Sequence, residues 1–338
     1  MQNQFFELTP DRVLDSVEIA MKNIKKDARL TGRSMALNSL ENRVYELEYD
    51  DNTSVVAKFY RPGRWTEAQI LEEHKFTQKL FESEVPVVAP HVLHQGTSVG
   101  HAILGQEATP IYFAVFDKVR GRILDELHKP NLERLGRYLA RIHNVGETIK
   151  VQARLELNVE NWGDASLDFL EAADLNQSPM FMRYMDVAER IVDDLADNFK
   201  PTGLISTHGD CHLGNVLWSS DGNPFFLDFD DYALAPPVQD LWMIVRGRDE
   251  EAVKQREIIL ESYEALRPFN RASLKWIEPY RILRIIHYSA WIAKRWEDPS
   301  FPKAFPLFST DSYWQNEIEA LEEAYSQWLS SRDSSPYY

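Results

Sequence analysis

The feature that most limits how this chain can fold is a polar cluster in its second half. Residues 208–215 read HGDCHLGN, and thirteen positions after Asn215 comes Asp228. Two short apolar runs, at 216–218 and 225–227, flank a turn of Ser, Asp, Gly and Asn, which is typical of a β-hairpin. We expect this hairpin to return the Asp228 carboxylate to the loop that carries Asp210 and Asn215.

These residue types suit phosphoryl transfer from ATP. That reaction needs a carboxylate that orients the attacking hydroxyl, oxygen ligands that hold Mg²⁺ on the phosphates, and a cation for the α- and β-phosphates. Asp210 and Asn215 are five positions apart, as are the base and the metal ligand in the pattern HRDxxxxN of protein kinases. Asp228 and Phe229 stand where that pattern continues with DFG. We therefore predict a catalytic site containing Asp210, Asn215 and Asp228.

The predicted cation is Lys58, in the first third of the chain. Residues 42–49 alternate between polar and apolar, residues 50–52 supply a turn, and residues 54–60 form the returning strand. Lys58 shares a strand face with Val56 and Tyr60, as expected for a lysine that points into a nucleotide cleft. The alternative is an edge lysine that prevents strand pairing.

An acid on the following helix, predicted at 66–81 with Thr66 as its N-cap, should hold this lysine. Glu72 and Glu73 are both candidates. We favour Glu73 because Phe76 and Leu80 follow it at the spacing of one core-facing helix side.

Beyond the sequence DKVRG at 117–121 the patterns become mostly helical. We predict an α+β, two-lobed, protein-kinase-like fold with a β-rich N-lobe and a mostly helical C-lobe. The ATP-binding lobe would span 1–118, the helical lobe with the catalytic loop 119–329, and a loose tail 330–338.

The motif HGDxHxxN, together with LDFD at 227–230, resembles the choline kinase and aminoglycoside phosphotransferase superfamily. Segments at 37–45, 56–62, 70–74, 238–243 and 299–303 are similar to the stress response kinase A family of bacterial serine/threonine protein kinases. This resemblance implies Asp210 as proton acceptor and Asn215 and Asp228 as magnesium ligands. It also implies Ser39 as an ATP contact and a role in protection against stress.

The chain departs from ordinary protein kinases at two places. Residues 38–42, NSLEN, stand where a glycine-rich loop is expected, so Ser39 and Asn38 would donate to phosphate instead, unless they serve only as turn residues. From Asp228 to Asp240 there are only twelve positions, too few for a long activation segment. We interpret Asp240 as an acid that braces the backbone of the catalytic loop.

Composition restricts the partners. With 37 basic and 53 acidic residues the net charge is −16, so we expect no nucleic-acid partner. We read the charge as a solubility feature; a cationic substrate is the alternative. No apolar run is long enough to cross a membrane, the first twenty residues lack the pattern of a secretory signal, and Cys211 is the single cysteine. We expect a cytoplasmic monomer without a membrane partner.

The sequence thus predicts an ATP- and Mg²⁺-dependent serine/threonine protein kinase. One alternative is a small-molecule hydroxyl kinase of the choline, homoserine or aminoglycoside type, which the short segment after Asp228 favours. A second is a pseudokinase that binds nucleotide without turnover. A zinc or manganese site at His208 and His212 is a third.

Overall fold

The computed structural model describes Phe5 and residues 8–102, 110–173 and 178–333. A β-rich part precedes a mostly helical part, which confirms the predicted α+β class. Within the described ranges, no helix combines the length and the apolar character that crossing a bilayer requires.

The β-rich part is built on a five-stranded antiparallel sheet in the order β1-β2-β3-β5-β4. Its strands are β1 Leu30–Leu37, β2 Arg43–Tyr49, β3 Ser54–Phe59, β4 Gly100–Ala102 and β5 Ile111–Asp117. The predicted β2–β3 hairpin is confirmed, and Asn52 in its turn adopts a positive φ of 62°. Strand β1 was not predicted, because none of its residues is buried and its sequence therefore lacks apolar alternation.

Helix α1, Pro10–Met21, packs its apolar side on the sheet to form the smaller core. Helix α2, Glu67–Glu82, begins after Thr66, whose side chain forms the predicted cap in a reciprocal arrangement with Gln69. Its buried side carries Glu73, Phe76 and Leu80, as the spacing predicted.

The second part consists of helices around the larger core. Its α-helices are α3 Lys129–Gly146, α4 Ala165–Ala172, α5 Pro179–Asn198, α6 Val238–Ile244, α7 Glu250–Glu264, α8 Ile277–Ala293, α9 Ser300–Ala304 and α10 Asp311–Asp333. A π-helical stretch, Val159–Asp164, leads into α4. Short 3₁₀ turns lie at Leu213–Asn215, Phe229–Asp231 and Arg271–Trp276.

Helix α10 corrects the predicted tail. It runs to Asp333, so residues 330–333 are helical, and 334–338 lie outside the described residues. Trp314, Ile318 and Leu321 are buried at helical spacing, and α10 packs against α5 and α8. Packing of α10 against other helices therefore stabilises helical structure up to Asp333, although the sequence is polar there.

Two small antiparallel pairs position the polar cluster. Strands β7 Val216–Trp218 and β8 Pro224–Phe226 form the predicted hairpin. Strands β6 Ile205–Thr207 and β9 Ala233–Ala235 pair next to it. The loop 208–215 follows β6, and the loop 227–232 follows β8. The two loops lie side by side and face the sheet of the first part.

Candidate active site

The loop 208–215 is held in place by hydrogen bonds to Asp240. Its buried carboxylate accepts the backbone N–H groups of His208 at 2.9 Å and Gly209 at 3.0 Å. The same carboxylate contacts the ring of His143 at 3.0 Å. Gly209 has φ 82°, and a Cβ there would lie 2.0 Å from the carbonyl oxygen of Asp231. The loop is therefore locked in place, with the bracing role that the sequence suggested for Asp240.

His208 joins this loop to the end of the hairpin. Its Nε2 lies 2.9 Å from the carbonyl oxygen of Leu227, and its ring centroid is 4.3 Å from that of Phe229. In the described part of the chain, no three His, Cys, Asp or Glu side chains are grouped as metal ligands. His208 shapes the loop, and this geometry lends no support to the zinc alternative.

Asp210 lies where the loop faces the cleft. Its Oδ1 is 2.8 Å from Nη1 of Arg284 on α8, and its Oδ2 is 3.4 Å from Nε2 of His212. Burial by itself raises the pKa of Asp210, but the hydrogen bond from His212 and the charge of Arg284 lower it by more, so the net pKa is well below its usual value. Asp210 is therefore an ionised carboxylate at neutral pH.

Asn215 and Asp228 adjoin this loop through the hairpin. The Asn215 amide nitrogen donates to the Asp210 carbonyl at 3.0 Å, which leaves the amide oxygen to accept a ligand. The Asn215 carbonyl accepts the Leu227 N–H at 2.9 Å, and the next residue, Asp228, is in the left-handed region at φ 58°, ψ 65°. The Asp228 side chain is 50% exposed, so a solvated carboxylate and an amide oxygen stand on neighbouring loops.

Lys58 crosses from the sheet to the hairpin end. Its Nζ lies 2.6 Å from Asp228 Oδ1 and 2.8 Å from Asp230 Oδ1. Burial lowers the pKa of Lys58, but the charges of Asp228 and Asp230 raise it by more, so the ammonium stays protonated. The edge-lysine alternative is wrong, because Lys58 is buried and β3 lies inside the sheet.

The predicted ion pair between Lys58 and Glu73 is not formed, because the Lys58 ammonium pairs with Asp228 and Asp230 instead. Glu73 is nevertheless buried near Lys58, with Arg154 Nη2 at 3.8 Å, and burial raises the pKa of Glu73 to about 7. Glu72 faces away and accepts the backbone N–H groups of Gln152 at 2.8 Å and Ala153 at 2.6 Å. Of the two candidates, Glu73 is the one next to the lysine.

Asp230 is the residue that the sequence reasoning missed. It is buried and contacts the amide of Asn42 at 2.7 Å and Nη1 of Arg64 at 3.1 Å, in addition to Lys58. Burial raises the pKa of Asp230, but Lys58 and Arg64 lower it by more. Its place two positions after Asp228 was the available signal.

Ser39 and Asn38 lie in the β1–β2 connection. Ser39 Oγ accepts the backbone N–H of Asn42 at 3.2 Å, which is turn chemistry of the kind considered as the alternative. Asn42 in turn ties this connection to Asp230. A contact of Ser39 or Asn38 with ATP stays a prediction.

The site opens into a cavity of about 780 Å³. Its lining combines carboxylates with cations and rings: Asp210, Asp228, Asp230, Arg64, Arg246, Arg248, Arg281, Arg284, Trp162, Tyr288 and Trp291. A pocket of this size and polarity can bind a substrate against Asp210.

Comparisons with known proteins agree with this architecture. Residues 35–277 match the family described as "Phosphotransferase enzyme family". Stress response kinase A of Escherichia coli (strain K12) is 37% identical over 94% of this chain and 93% of its own length. Serine/threonine protein kinase RdoA of Salmonella typhimurium is 35% identical over the same shares.

A solved structure of the amicoumacin kinase hAmiN superimposes with a TM-score of 0.74 at 18% identity, covering 100% of this chain and 98% of that one. At this identity the likeness concerns the fold, and it confirms the predicted kinase-like architecture. The sequence matches cover most of both chains at an identity that fixes the family. This chain belongs to the phosphotransferase enzyme family and, within it, to the stress response kinase A group.

Proposed function

We propose that this kinase is an ATP- and Mg²⁺-dependent serine/threonine protein kinase that acts in the cytoplasm in a bacterial stress response. The observation that carries the proposal is the convergence of Asp210, Asn215 and the Lys58–Asp228 pair beside one cavity. The names of the relatives at 35–37% identity supply the protein acceptor and the stress role.

Lys58 is the group that would hold the α- and β-phosphates. It is a buried, permanently charged ammonium, and its partner Asp228 is half-exposed and can exchange that contact for a ligand. The buried Asp230 would keep Lys58 oriented during this exchange.

The residues present fit a magnesium ion. Asp228 offers a solvated carboxylate and Asn215 an amide oxygen, and hard oxygen donors of these two kinds are the ligands that Mg²⁺ prefers. When bound, Mg²⁺ neutralises charge on the transferred phosphates.

Asp210 would accept a hydrogen bond from the acceptor hydroxyl and aim its oxygen at the γ-phosphorus. Its lowered pKa makes it a weak base, so its contribution is orientation. It would then take up the hydroxyl proton as the new O–P bond forms and the bond from the γ-phosphorus to the bridging oxygen breaks, which releases ADP. Asp240 and Gly209 keep the loop rigid, which holds this carboxylate in position.

A small-molecule hydroxyl kinase is the second candidate. The segment between Asp228 and Asp240 folds into the 3₁₀ turn Phe229–Asp231 and strand β9, with no room for an extended docking segment. This compact arrangement is compatible with a metabolite that enters the cavity.

Transfer from labelled ATP distinguishes these functions. The wild-type protein, given Mg²⁺, a serine/threonine peptide library and a panel of hydroxyl metabolites, should label peptides. Asp210→Asn should lower this transfer about a thousandfold while ATP binding persists. Asp221→Asn, an exposed acid in the turn of the same hairpin, is the matched control and should keep full activity.

Saturable transfer to a metabolite with none to peptides would favour the second candidate. Wild-type transfer by Asp210→Asn would show that the assigned carboxylate is wrong. Stress survival that needs ATP binding but persists in cells carrying Asp210→Asn would favour the pseudokinase alternative.

A further inference from the structure

Four arginines line the part of the cavity beside Asp210: Arg246, Arg248, Arg281 and Arg284. The first two follow α6, and the last two occupy successive turns of α8, so separate elements bring these cations together. Such a concentration is unexpected in a chain with a net charge of −16. We call these four residues the arginine cluster.

Carboxylates only partly neutralise the arginine cluster. Arg284 pairs with Asp210 at 2.8 Å. Arg248 and Arg281 share a single acid, Glu278, at 2.8 Å and 3.1 Å, and Arg248 also reaches Glu323. These four ion pairs involve three carboxylates and three of the four arginines, so one arginine forms none of them.

That cation is Arg246. Arg246 is an exposed residue, and its guanidinium forms no ion pair or hydrogen bond with the described residues, although the negative charge of Asp210 lies near enough to act on it. Its own backbone carbonyl accepts a hydrogen bond from Arg281 at 2.8 Å, which brings a second guanidinium next to it. Arg246 therefore offers its five N–H donors to a ligand.

The charges within the arginine cluster repel one another. Desolvation and the charge of Arg284 lower the pKa of Arg246, and desolvation together with the charge of Arg248 lowers the pKa of Arg281. A bound anion would relieve this repulsion and pair with Arg246 in a forked geometry.

Three other acids along the cavity form no ion pair with the arginine cluster. Glu41 pairs with Arg295 at 2.7 Å, and Asp231 pairs with Arg64 at 2.5 Å. Burial raises the pKa of Glu317 to about 7, so this carboxyl is only partly ionised at neutral pH. Desolvation and the charges of Arg284 and Arg281 lower the pKa of Arg246 by more than the charge of Asp210 raises it.

We propose that the arginine cluster binds an acidic side chain next to the acceptor hydroxyl, so that this kinase prefers serine or threonine in acidic peptide segments. The inference rests on the proposed protein-kinase function. Because Arg284 contacts Asp210, an anion bound at the arginine cluster would sit close to the hydroxyl that Asp210 orients. The overall negative charge is screened over about 8 Å at physiological salt, so the local cations decide which acceptor is favoured.

Three peptides test this preference. Each carries one serine, flanked by glutamates, by glutamines or by lysines, and kcat/KM is measured for wild type, Arg246→Gln and Arg246→Glu. We expect wild type to favour the glutamate peptide. Arg246→Gln should reduce kcat/KM for that peptide about fivefold, through KM, and leave the glutamine peptide unchanged.

Arg246→Glu should reverse the order of the glutamate and lysine peptides. Arg183→Gln is the control for loss of one positive charge, because Arg183 is an exposed residue of α5 outside the cavity lining. It should retain the wild-type order.

Equal kcat/KM for the three peptides, a wild-type preference for lysine, or an unchanged order in Arg246→Glu would overturn the inference and leave the proposed function standing. If none of the peptides accepts phosphate, the protein-kinase function is rejected and the inference falls with it.

Discussion

The two sides of the cavity differ in how completely their charged side chains are paired. On the side of the sheet, the buried Asp230 is saturated by Lys58, Arg64 and Asn42. On the side of α8, Arg246 forms no ion pair with any of the described residues. The charges around Asp230 are paired within the protein, whereas the other side keeps a cation that a ligand can pair with.

Two glutamates on the cavity lining show the same contrast. Burial raises the pKa of Glu41, but Arg64 and Arg295 lower it by more, and its net pKa is below the usual value. Among the described residues, no cation offsets the desolvation of Glu317 on α10, and its pKa rises to about 7. Within one cavity, the presence of a cation decides whether a sheltered carboxyl is ionised.

Replacing Asp230 should have a much larger effect on stability than replacing Arg246. Asp230→Ala leaves Lys58 and Arg64 short of a counterion in a buried position, and we expect the free energy of unfolding to fall by about 3–5 kcal/mol. Arg246→Ala removes an unpaired charge and should change it by about 0.5 kcal/mol or less. Urea unfolding followed by both tryptophan fluorescence and circular dichroism measures the two values. Similar losses in both variants would contradict the difference between the sides.

Asp228 belongs to the paired side but is half-exposed, so its replacement should affect activity more than stability. Asp228→Asn should lower kcat roughly 10²- to 10³-fold by removing charge that faces Lys58 and the phosphates. Its stability should stay close to wild type, since asparagine tolerates the left-handed backbone at this position. Steady-state kinetics and thermal unfolding together check the prediction. Near-normal kcat would remove Asp228 from the proposed chemistry.

The smallest expected effect concerns pH and Glu317. The pKa of Glu317 in the folded protein, about 7, exceeds the ordinary glutamate value of 4.5, so the native state binds an extra proton between these two pH values. Its contribution to stability is therefore present below pH 4.5 and is lost as pH rises through 7. Glu317→Gln should reduce the loss of Tm between pH 5 and pH 8 by about 2 °C.

The exposed Glu322 on the same helix provides the control. Glu322→Gln should keep the wild-type difference in Tm between the two pH values. The raised pKa of Glu73 acts in the same direction, so Glu317→Gln should retain part of the pH dependence. An unchanged difference in Glu317→Gln would indicate that its carboxyl is ionised in the folded protein.

Short-range patterns were sufficient for much of the fold and the core of the site. The β2–β3 hairpin, the cap at Thr66 and the β7–β8 hairpin depend on residues within a few positions of one another, and all three were predicted. Strand β1 and the end of α10 were not, because packing against other elements, rather than local periodicity, orders them.

Local sequence was enough to predict that Asp210, Asn215 and Asp228 lie close together, since a loop and a tight hairpin leave them few other arrangements. The charges that these residues face depend on long-range packing. The partners of Lys58 lie 170 and 172 positions away, and Arg284 reaches Asp210 from a separate helix. Electrostatic contacts between distant segments leave no periodic trace in a sequence, and here they separate the paired charges around Asp230 from the partly paired arginine cluster beside Asp210.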